Sequence, residues 1–449
     1  MKRVLTIAAS DSGGGAGIQA DIKTITFMGG YAMSALTALT AQDTTGVKGI
    51  YKVPIDFIAQ QIDTVVSDLG VDAVKTGMLV DAEVIEIVSR KLKAHHITKI
   101  VVDPVMVSKS GVPLLAKDAY TFLKRELIPL ALVLTPNLYE ASMLTGKAVR
   151  TIAQMKVASK KIHQMGARNV LVKGGHLKGN PVDILYDGKE YYEFEAQRVT
   201  TNNTHGTGCT LSAALATEIA KGVPLVQAVS HAKEFTAASL KFSLALGKGC
   251  GPVNPAASFT RYQEMVRCSD ELKRALKKLK AGEIGHLIPE VQSNLGYALP
   301  HATSAEEVIA FPGRIVRVNQ SIAILADPLP GASRHLAQVI LTVMNHHPEL
   351  RSAMNIKYSP EIIKRCRALK FTLGRFNRND EPQHIKMREG ASLSWGIERL
   401  LSKSNAVPDS IYDMGEVGKE PMVRIIGRTP LEVAEKVLHI ARLKVRSRV

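Results

Sequence analysis

The sequence predicts an α/β protein of two domains, the first a mostly parallel sheet with helices on both faces and the second a smaller α/β domain. Three observations carry that expectation. The chain has 449 residues, beyond the roughly 250–300 at which single hydrophobic cores stop growing. Up to about residue 255, short aliphatic runs alternate with stretches that carry apolar residues at helical spacing. A segment dense in glycine, proline and small residues, Gly247–Phe259, then ends that pattern.

In the first half, strands are expected at Val4–Ala9, Val71–Lys75, Ile100–Asp103, Leu132–Leu134 and Val170–Lys173. Helices are expected between them over Ile55–Leu69, Ala82–His95 and Ala116–Leu127. Asp183–Tyr186 and Tyr191–Phe194, joined by Asp187-Gly188-Lys189-Glu190, read as a hairpin near the sheet edge. Past the boundary come a basic amphipathic helix over Ser269–Ala281, strands at Arg314–Val318 and Ile322–Leu325, and a helix over Ala332–Asn345. A strand at Val423–Ile426 and a helix over Leu431–Leu443 close the chain. Domains are placed at residues 1–262 and 268–449.

Lys and Arg outnumber Asp and Glu by 58 to 41, a formal charge of +17 split almost evenly between the halves. Such an excess suits nucleic acid or polyphosphate ligands. Only 5% aromatic residues and no concentrated basic tail argue against nucleic acid. No apolar run approaches the roughly 18 residues of a membrane span. The opening run MKRVLTIAAS reads as a first strand rather than a signal sequence. Four dispersed cysteines without a CxxC pair indicate neither a disulfide framework nor a zinc knuckle, and suit a reducing cytoplasm.

Neither GxxxxGK[ST] nor GxGxxG occurs. What remains after the first strand is the glycine-rich loop Asp11–Ala20, which a tight strand–helix turn alone would explain. The segment Asn203–Ser212, NTHGTGCTLS, is sharper. Gly206 and Gly208 let backbone N–H groups turn inward where a long apolar helix begins, and its N-terminus attracts an anion. Cys209, in that first turn, is expected to have its thiol pKa lowered by the same field and so to serve as a base. A buried cysteine in a glycine-rich cap is the alternative.

The runs SDSGGGAGIQADIKT, TALTAQDTTGV, KTGMLVD, DPVMVSKSG, TPNLYEASMLTG, VKGGH, NTHGTGCTLSAALA and GKGCGPV stand in the order of one family. Over roughly residues 1–255 the chain resembles a ThiD-type hydroxymethylpyrimidine/phosphomethylpyrimidine kinase of ribokinase-like fold. The resemblance implies two successive ATP-dependent phosphorylations of 4-amino-5-hydroxymethyl-2-methylpyrimidine. It places Gln42 on the pyrimidine's donor and acceptor edge, Met78 and Val105 along the ring, and Ala16 in the close loop. Thr40 departs from the valine associated with that site. Gly206, Thr207 and Gly208 form the anion hole, with Cys209 in place of the aspartate base of related sugar kinases. Lys173 and Asp103 are expected at the ATP phosphates, and Asn137 and Glu140 at Mg²⁺ through water. A pyridoxal-type kinase is the rival, disfavoured by Gln42.

In the second half, Pro312-Gly313-Arg314 on a strand and Pro330-Gly-Ala-Ser-Arg334-His335 opening a helix suggest a diphosphate grip. Surface charges beside two Pro-Gly turns are the bland alternative. AFPGRIV, DPLPGASRHLA, NIKYS and DMGEVGKEP are similar to a ThiN-type thiamine-phosphate synthase over about residues 270–445. That resemblance implies condensation of the pyrimidine diphosphate with hydroxyethylthiazole phosphate, releasing diphosphate. Arg314 and His335 become the expected catalytic pair, with Arg334, Lys357, Lys419 and Asp413 as further phosphate or Mg²⁺ contacts. A sensing or regulatory role for this half is the alternative. Dimerisation is expected by analogy alone. The pairs His95-His96 and His346-His347 read as surface or cap positions, and Trp395 as packing.

Overall fold

The computed structural model describes residues 1–443 apart from 108–110, 112, 117, 383–390, 403–406 and 417. Two compact units divide the chain, Met1–Phe259 and Thr260–Val449.

Nine strands form the sheet of the first unit: β1 (Lys2–Asp11), β2 (Gly30–Asp43), β3 (Gly46–Lys52), β4 (Ala73–Thr76), β5 (Ile100–Val102), β6 (Val133–Leu134), β7 (Asn169–Val172), β8 (Val182–Tyr186) and β9 (Tyr191–Glu195). Their order is β3-β2-β1-β4-β5-β6-β7-β8-β9. The run from β2 to β7 is parallel, while β3, β8 and β9 join antiparallel at the two edges. Because side chains alternate along a strand, each strand feeds two cores. Leu5, Ile7, Val74, Ile100, Val102, Leu134, Val170, Val172 and Ile184 point to one face. There they meet α2 (Ile55–Leu69), α3 (Ala82–Ala94), α5 (Leu138–Thr145) and α6 (Ile152–His163). Val4, Ala73, Val101, Val133, Leu171 and Leu185 point to the other face, against α1 (Gly17–Phe27), α7 (Thr207–Lys221) and α8 (Leu225–Lys241). The expected three layers are present.

Two expectations for this unit change. The helix expected over Ala116–Leu127 is only α4 (Ala119–Phe122), continued by a π-turn at Leu123–Leu127 and a 3₁₀ turn at Ile128–Leu130. Pro129 has no N–H to extend an α-helical ladder, and the backbone changes period just ahead of it. The long β2, absent from the expected strands, runs GYAMSALTALTAQD; its alanines and threonines blur the contrast on which period-two reading depends.

The second unit holds a sheet of seven strands: β10 (Leu295–Ala298), β11 (Val308–Ala310), β14 (Leu329–Pro330), β15 (Ser352–Lys357), β16 (Leu373–Arg375), β17 (Ser410–Asp413) and β18 (Met422–Gly427). The order is β14-β11-β10-β15-β18-β17-β16, and β12 (Ile315–Val318) with β13 (Ser321–Ile324) forms a separate hairpin. Every pairing is antiparallel except β16 with β17. Its helices are α9 (Ala257–Ala281), α10 (Arg334–His346), α11 (Pro360–Ala368), α12 (Ala391–Leu401) and α13 (Pro430–Arg442). Leu272, Ala275 and Leu279 of α9, Leu336 and Ile340 of α10, and Val433 and Val437 of α13 enter one core with the sheet. Helix α9 begins twelve residues ahead of the expected Ser269. The expected strand at Arg314 starts one residue later, because Gly313 and Arg314 both take φ of +70°.

Asp413, expected as a phosphate or Mg²⁺ contact, is wholly enclosed. Its Oδ1 accepts from Arg378 Nε at 2.7 Å and from the Gly415 N–H at 2.9 Å, and its Oδ2 accepts from Arg424 Nη1 at 2.7 Å. Both arginines are buried too. Burial pushes the Asp413 pKa up, but the two guanidinium groups outweigh it and hold the carboxyl below its ordinary value. The residue is therefore a structural counter-ion. Asp413→Ala leaves two buried guanidinium groups without their carboxylate and should cost roughly 3–5 kcal/mol in urea unfolding. Unchanged stability would return Asp413 to the list of ligand contacts.

Candidate active site

The parallel strands of the first unit deliver their functional residues at their C-terminal ends, where ligands gather in open α/β sheets. β1 ends on Asp11, whose carboxylate accepts the N–H groups of Gly13 at 2.8 Å, Gly15 at 3.0 Å and Ala16 at 2.8 Å, folding the glycine loop around itself. The same carboxylate meets His205 Nε2 at 2.9 Å. Burial raises the Asp11 pKa, yet His205 and the backbone donors overcome it and the group lies below its ordinary value. His205 is strapped from behind, its N–H donating to the Gly251 carbonyl and its own carbonyl accepting from Val253, each at 3.0 Å.

Next to His205, Gly206 takes φ +81° and opens α7 without a side-chain cap. A Cβ there would fall 1.9 Å from the Gly15 carbonyl oxygen, so only glycine fits. The Thr207 N–H turns back to the Thr204 carbonyl at 3.4 Å, and the next two, of Gly208 and Cys209, are left for a ligand in the positive end of a 15-residue helix. Thr207 returns its hydroxyl to the Thr204 carbonyl at 2.7 Å. A Cβ on Gly208 would come within 3.4 Å of Lys173 Nζ, so the bare helix start faces that ammonium.

Lys173, following β7, pairs with Asp103, following β5, at 2.7 Å. Asp103 also accepts from Thr135 and Ser212 hydroxyls, each at 3.3 Å. Beneath them Lys75 of β4 is fully buried and bound to Asp21 of α1 at 2.8 and 3.0 Å, with Thr6 donating to Asp21 at 2.6 Å. Lys75 is the main positive charge acting on Cys209. The expected depression of the Cys209 thiol does not occur: burial pushes it up to about 11, opposed by Lys75 and reinforced by Asp21 and Asp103. The helix field loses to desolvation here.

Asn137 and Glu140 occupy each other. Asn137 Oδ1 accepts the Glu140 N–H at 2.9 Å, and Glu140 Oε2 accepts the Asn137 N–H at 2.7 Å, a reciprocal cap on α5. Burial raises the Glu140 pKa to about 7, against the pull of Lys173. Among the described residues no group of three or more His, Cys, Asp or Glu could hold a metal directly.

Met78 and Val105 meet in a small apolar patch with Ala9, Ala38, Val80 and Leu114. Ala16 adjoins Asp11 through its N–H. Gln42 is the last residue but one of β2, with its backbone pinned by the Ser12 hydroxyl, which donates to its carbonyl and accepts its N–H, both at 2.8 Å. Its side-chain amide lies 3.2 Å from Thr40 Oγ1 at one end and 3.2 Å from His205 Nε2 at the other. Asp11, His205, Lys75 and Asp21 received no role from the sequence. The signal for Lys75 was available: a lysine inside the otherwise apolar strand AVKT.

In the second unit Arg314 projects from its left-handed turn, exposed, with its guanidinium donating to the Val291 carbonyl. Arg334 and His335 are exposed in the first turn of α10, which Ser333 leaves without a side-chain cap. Among the described residues no hydrogen bond or ion pair joins Arg314 to His335. Lys357 ends β15, exposed, opposite Met422, which in turn faces Asp413. Lys419 lies 3.6 Å from Glu416 in the loop after β17.

Comparisons with known proteins divide the chain at the same region. A family model described as phosphomethylpyrimidine kinase matches residues 11–254, and one described as thiamine-phosphate synthase ThiN matches residues 271–439. The thiamine biosynthesis bifunctional protein ThiED of Geobacter sulfurreducens is 52% identical over 252 residues, which cover 56% of this chain and 51% of that protein. The chain thus spans about half the length of that relative. The hydroxymethylpyrimidine/phosphomethylpyrimidine kinase of Bacillus subtilis is 44% identical, over 56% of this chain and 94% of its own. Among solved structures, an ADP complex of Bacillus subtilis pyridoxal kinase is 42% identical with a TM-score of 0.55, covering 58% of this chain and 99% of that one. No helix among the described residues is long and apolar enough to cross a membrane. Through residues 11–254 the chain belongs to the phosphomethylpyrimidine kinase family, and residues 271–439 are similar to the thiamine-phosphate synthase ThiN model.

Proposed function

We propose that the first half, residues 1–262, phosphorylates 4-amino-5-hydroxymethyl-2-methylpyrimidine and then its phosphate, with ATP as donor. The observation that carries this reading is Gln42 held beside the uncapped start of α7, with an apolar patch of Met78 and Val105 to receive a ring. Cys209 is the assigned base: the site holds it as a thiol, and once that proton is lost the thiolate takes the hydroxymethyl proton while the oxygen bonds to the γ-phosphorus and the bond to ADP breaks. Lys75 supplies the fixed charge that such a thiolate needs. Gly206, Thr207, Gly208 and Lys173 neutralise the transferring group, and Asp103 holds Lys173 in place. Glu140, with Asn137, fits Mg²⁺ only through water, since their mutual cap occupies the facing atoms; the ion's contribution would be to neutralise phosphate oxygens.

For the second half, residues 268–449, the proposal is condensation of the pyrimidine diphosphate with hydroxyethylthiazole phosphate. The thiazole nitrogen bonds to the pyrimidine methylene carbon as its bond to the diphosphate oxygen breaks. Arg314 and His335 hold the departing diphosphate, with Arg334, Lys357 and Lys419 as further cations. Cytoplasmic operation and dimerisation belong to the same reading. The pyridoxal kinase likeness favours one competing substrate, pyridoxine, which belongs in the same assay.

Incubating the full chain with the pyrimidine, ATP and Mg²⁺, with and without thiazole phosphate, should give thiamine phosphate only in its presence, read by mass spectrometry. Persistent pyrimidine diphosphate in both would make the second half a sensor. Cys209→Ala should slow both phosphorylations by about 10²-fold or more and spare condensation. Arg314→Ala and His335→Ala should each slow only condensation, by about 10²–10³-fold; unaltered condensation in both would remove the second site.

Glu140 adds a pH dependence. Its folded pKa of about 7 stands above the ordinary 4.5, so the folded protein keeps this proton longer than the unfolded chain. Its contribution to stability is therefore highest below about 4.5, falls as pH rises to about 7, and then levels. In the absence of divalent cations, Glu140→Gln should flatten that decline in urea midpoints measured from pH 5 to 8. An unchanged slope would place the titration elsewhere.

A further inference from the structure

The side-chain amide of Gln42 has two ends, and each faces a neighbour whose hydrogen-bonding sense is already set. Thr40 is buried, and its hydroxyl donates its one proton to the Ser10 carbonyl at 2.8 Å. Toward the amide, 3.2 Å away, it can then only accept. At the other end, His205 Nε2 stands 2.9 Å from Asp11 Oδ2 and 3.2 Å from the amide. Asp11 already gathers three backbone N–H groups, the surroundings of an ionised carboxylate, which accepts and never donates. His205 Nε2 must therefore carry a proton; its single N–H serves Asp11 and leaves no lone pair for an amide N–H, so the amide oxygen is the end that can face it.

Oε1 toward Thr40 with Nε2 toward His205 opposes acceptor to acceptor at one end and donor to donor at the other. A half-turn of the amide, whose two ends have almost the same shape, lets its N–H donate to Thr40 and removes the clash at His205, at unchanged distances. We infer that Thr40 and His205 are positioning residues that lock the Gln42 amide with its nitrogen toward Thr40 and its oxygen toward His205, so that its free edge reads an aminopyrimidine in one orientation only. The inference rests on the proposed role of Gln42 at the pyrimidine. One N–H and one oxygen lone pair remain on that edge, side by side. They match a ring nitrogen beside an exocyclic amino group. A 4-oxo ring, with N–H where the amino ring has a lone pair and oxygen where it has an amine, presents the reverse pattern. A free glutamine would turn to meet either ring; a locked one rejects the second.

The test is steady-state kinetics with 4-amino-5-hydroxymethyl-2-methylpyrimidine as substrate and the 4-oxo analogue as alternative substrate or competitive inhibitor. In the full-length protein, Thr40→Val should raise KM for the amino ring about three- to tenfold with kcat within twofold. It should also lower the preference for the amino over the oxo ring by at least that factor. Thr40→Ser keeps the hydroxyl and should restore the preference, which a packing role for the residue would not produce. His205→Phe should lower the preference in the same direction, with circular dichroism reporting whether it folds. Preference within twofold of the unmodified protein in Thr40→Val overturns the lock and leaves the pyrimidine assignment standing. Failure of the unmodified protein to phosphorylate the amino ring, with turnover of pyridoxine instead, overturns the assignment and the lock with it.

Discussion

Two stretches of backbone nearly 200 residues apart touch at Gly15 and Gly206, and the polar groups around them are placed by that contact. A side chain on Gly206 would drive into the Gly15 carbonyl, so the loop after β1 and the start of α7 can close only with hydrogen there. The positive φ that the approach demands costs glycine little. Once closed, the contact sets His205 onto Asp11 and exposes the uncapped end of α7 beside Lys173. The strap through Gly251 and Val253 holds this arrangement from the far side.

Beneath the contact lies a set of buried charges that pair almost completely. Lys75 with Asp21, and Lys173 with Asp103, are close ion pairs taken out of water. Each ion's desolvation is offset by its partner, and removing one partner is far costlier than never having had the pair. Glu140, its pKa raised to about 7 by the same burial, is only partly ionised near neutral pH. Cys209 sits among these groups as a thiol because the positive and negative neighbours oppose one another and desolvation decides.

The sequence conveyed the first unit's sheet well wherever aliphatic strands alternate with long amphipathic helices, as from Ile55 to Ile100. It did not convey β2, whose alanines and threonines carry no two-sided contrast, or the break at Pro129, where the apolar spacing continues while the hydrogen-bond period changes. Gln42, Cys209 and Lys173 stood out because they lie in compact motifs. The partners that orient them did not. Asp11 and His205 are 194 positions apart, and only the fold brings them to 2.9 Å. The direction of the Cys209 shift was lost for a related reason: a helix start can be recognised in sequence, but the burial that overrides its field cannot.

In the second unit the contrast between Asp413 and Arg314 separates support from chemistry. Asp413 is committed on every side, to Arg378, Arg424 and the Gly415 N–H. It has nothing left to offer a ligand, yet it anchors the start of the loop that carries Lys419. Arg314 is the opposite case. It holds φ +70°, a conformation that costs a side-chain-bearing residue about 1–2 kcal/mol, directly after a glycine that takes the same value freely. Turn geometry alone would be met with less strain by glycine or asparagine. The guanidinium is kept where it is exposed, and its cost is borne by the surrounding fold, which is the expected pattern when the side chain itself serves a ligand. A buried carboxylate that fixes a loop and a strained arginine that faces solvent thus put charge to opposite uses within one unit.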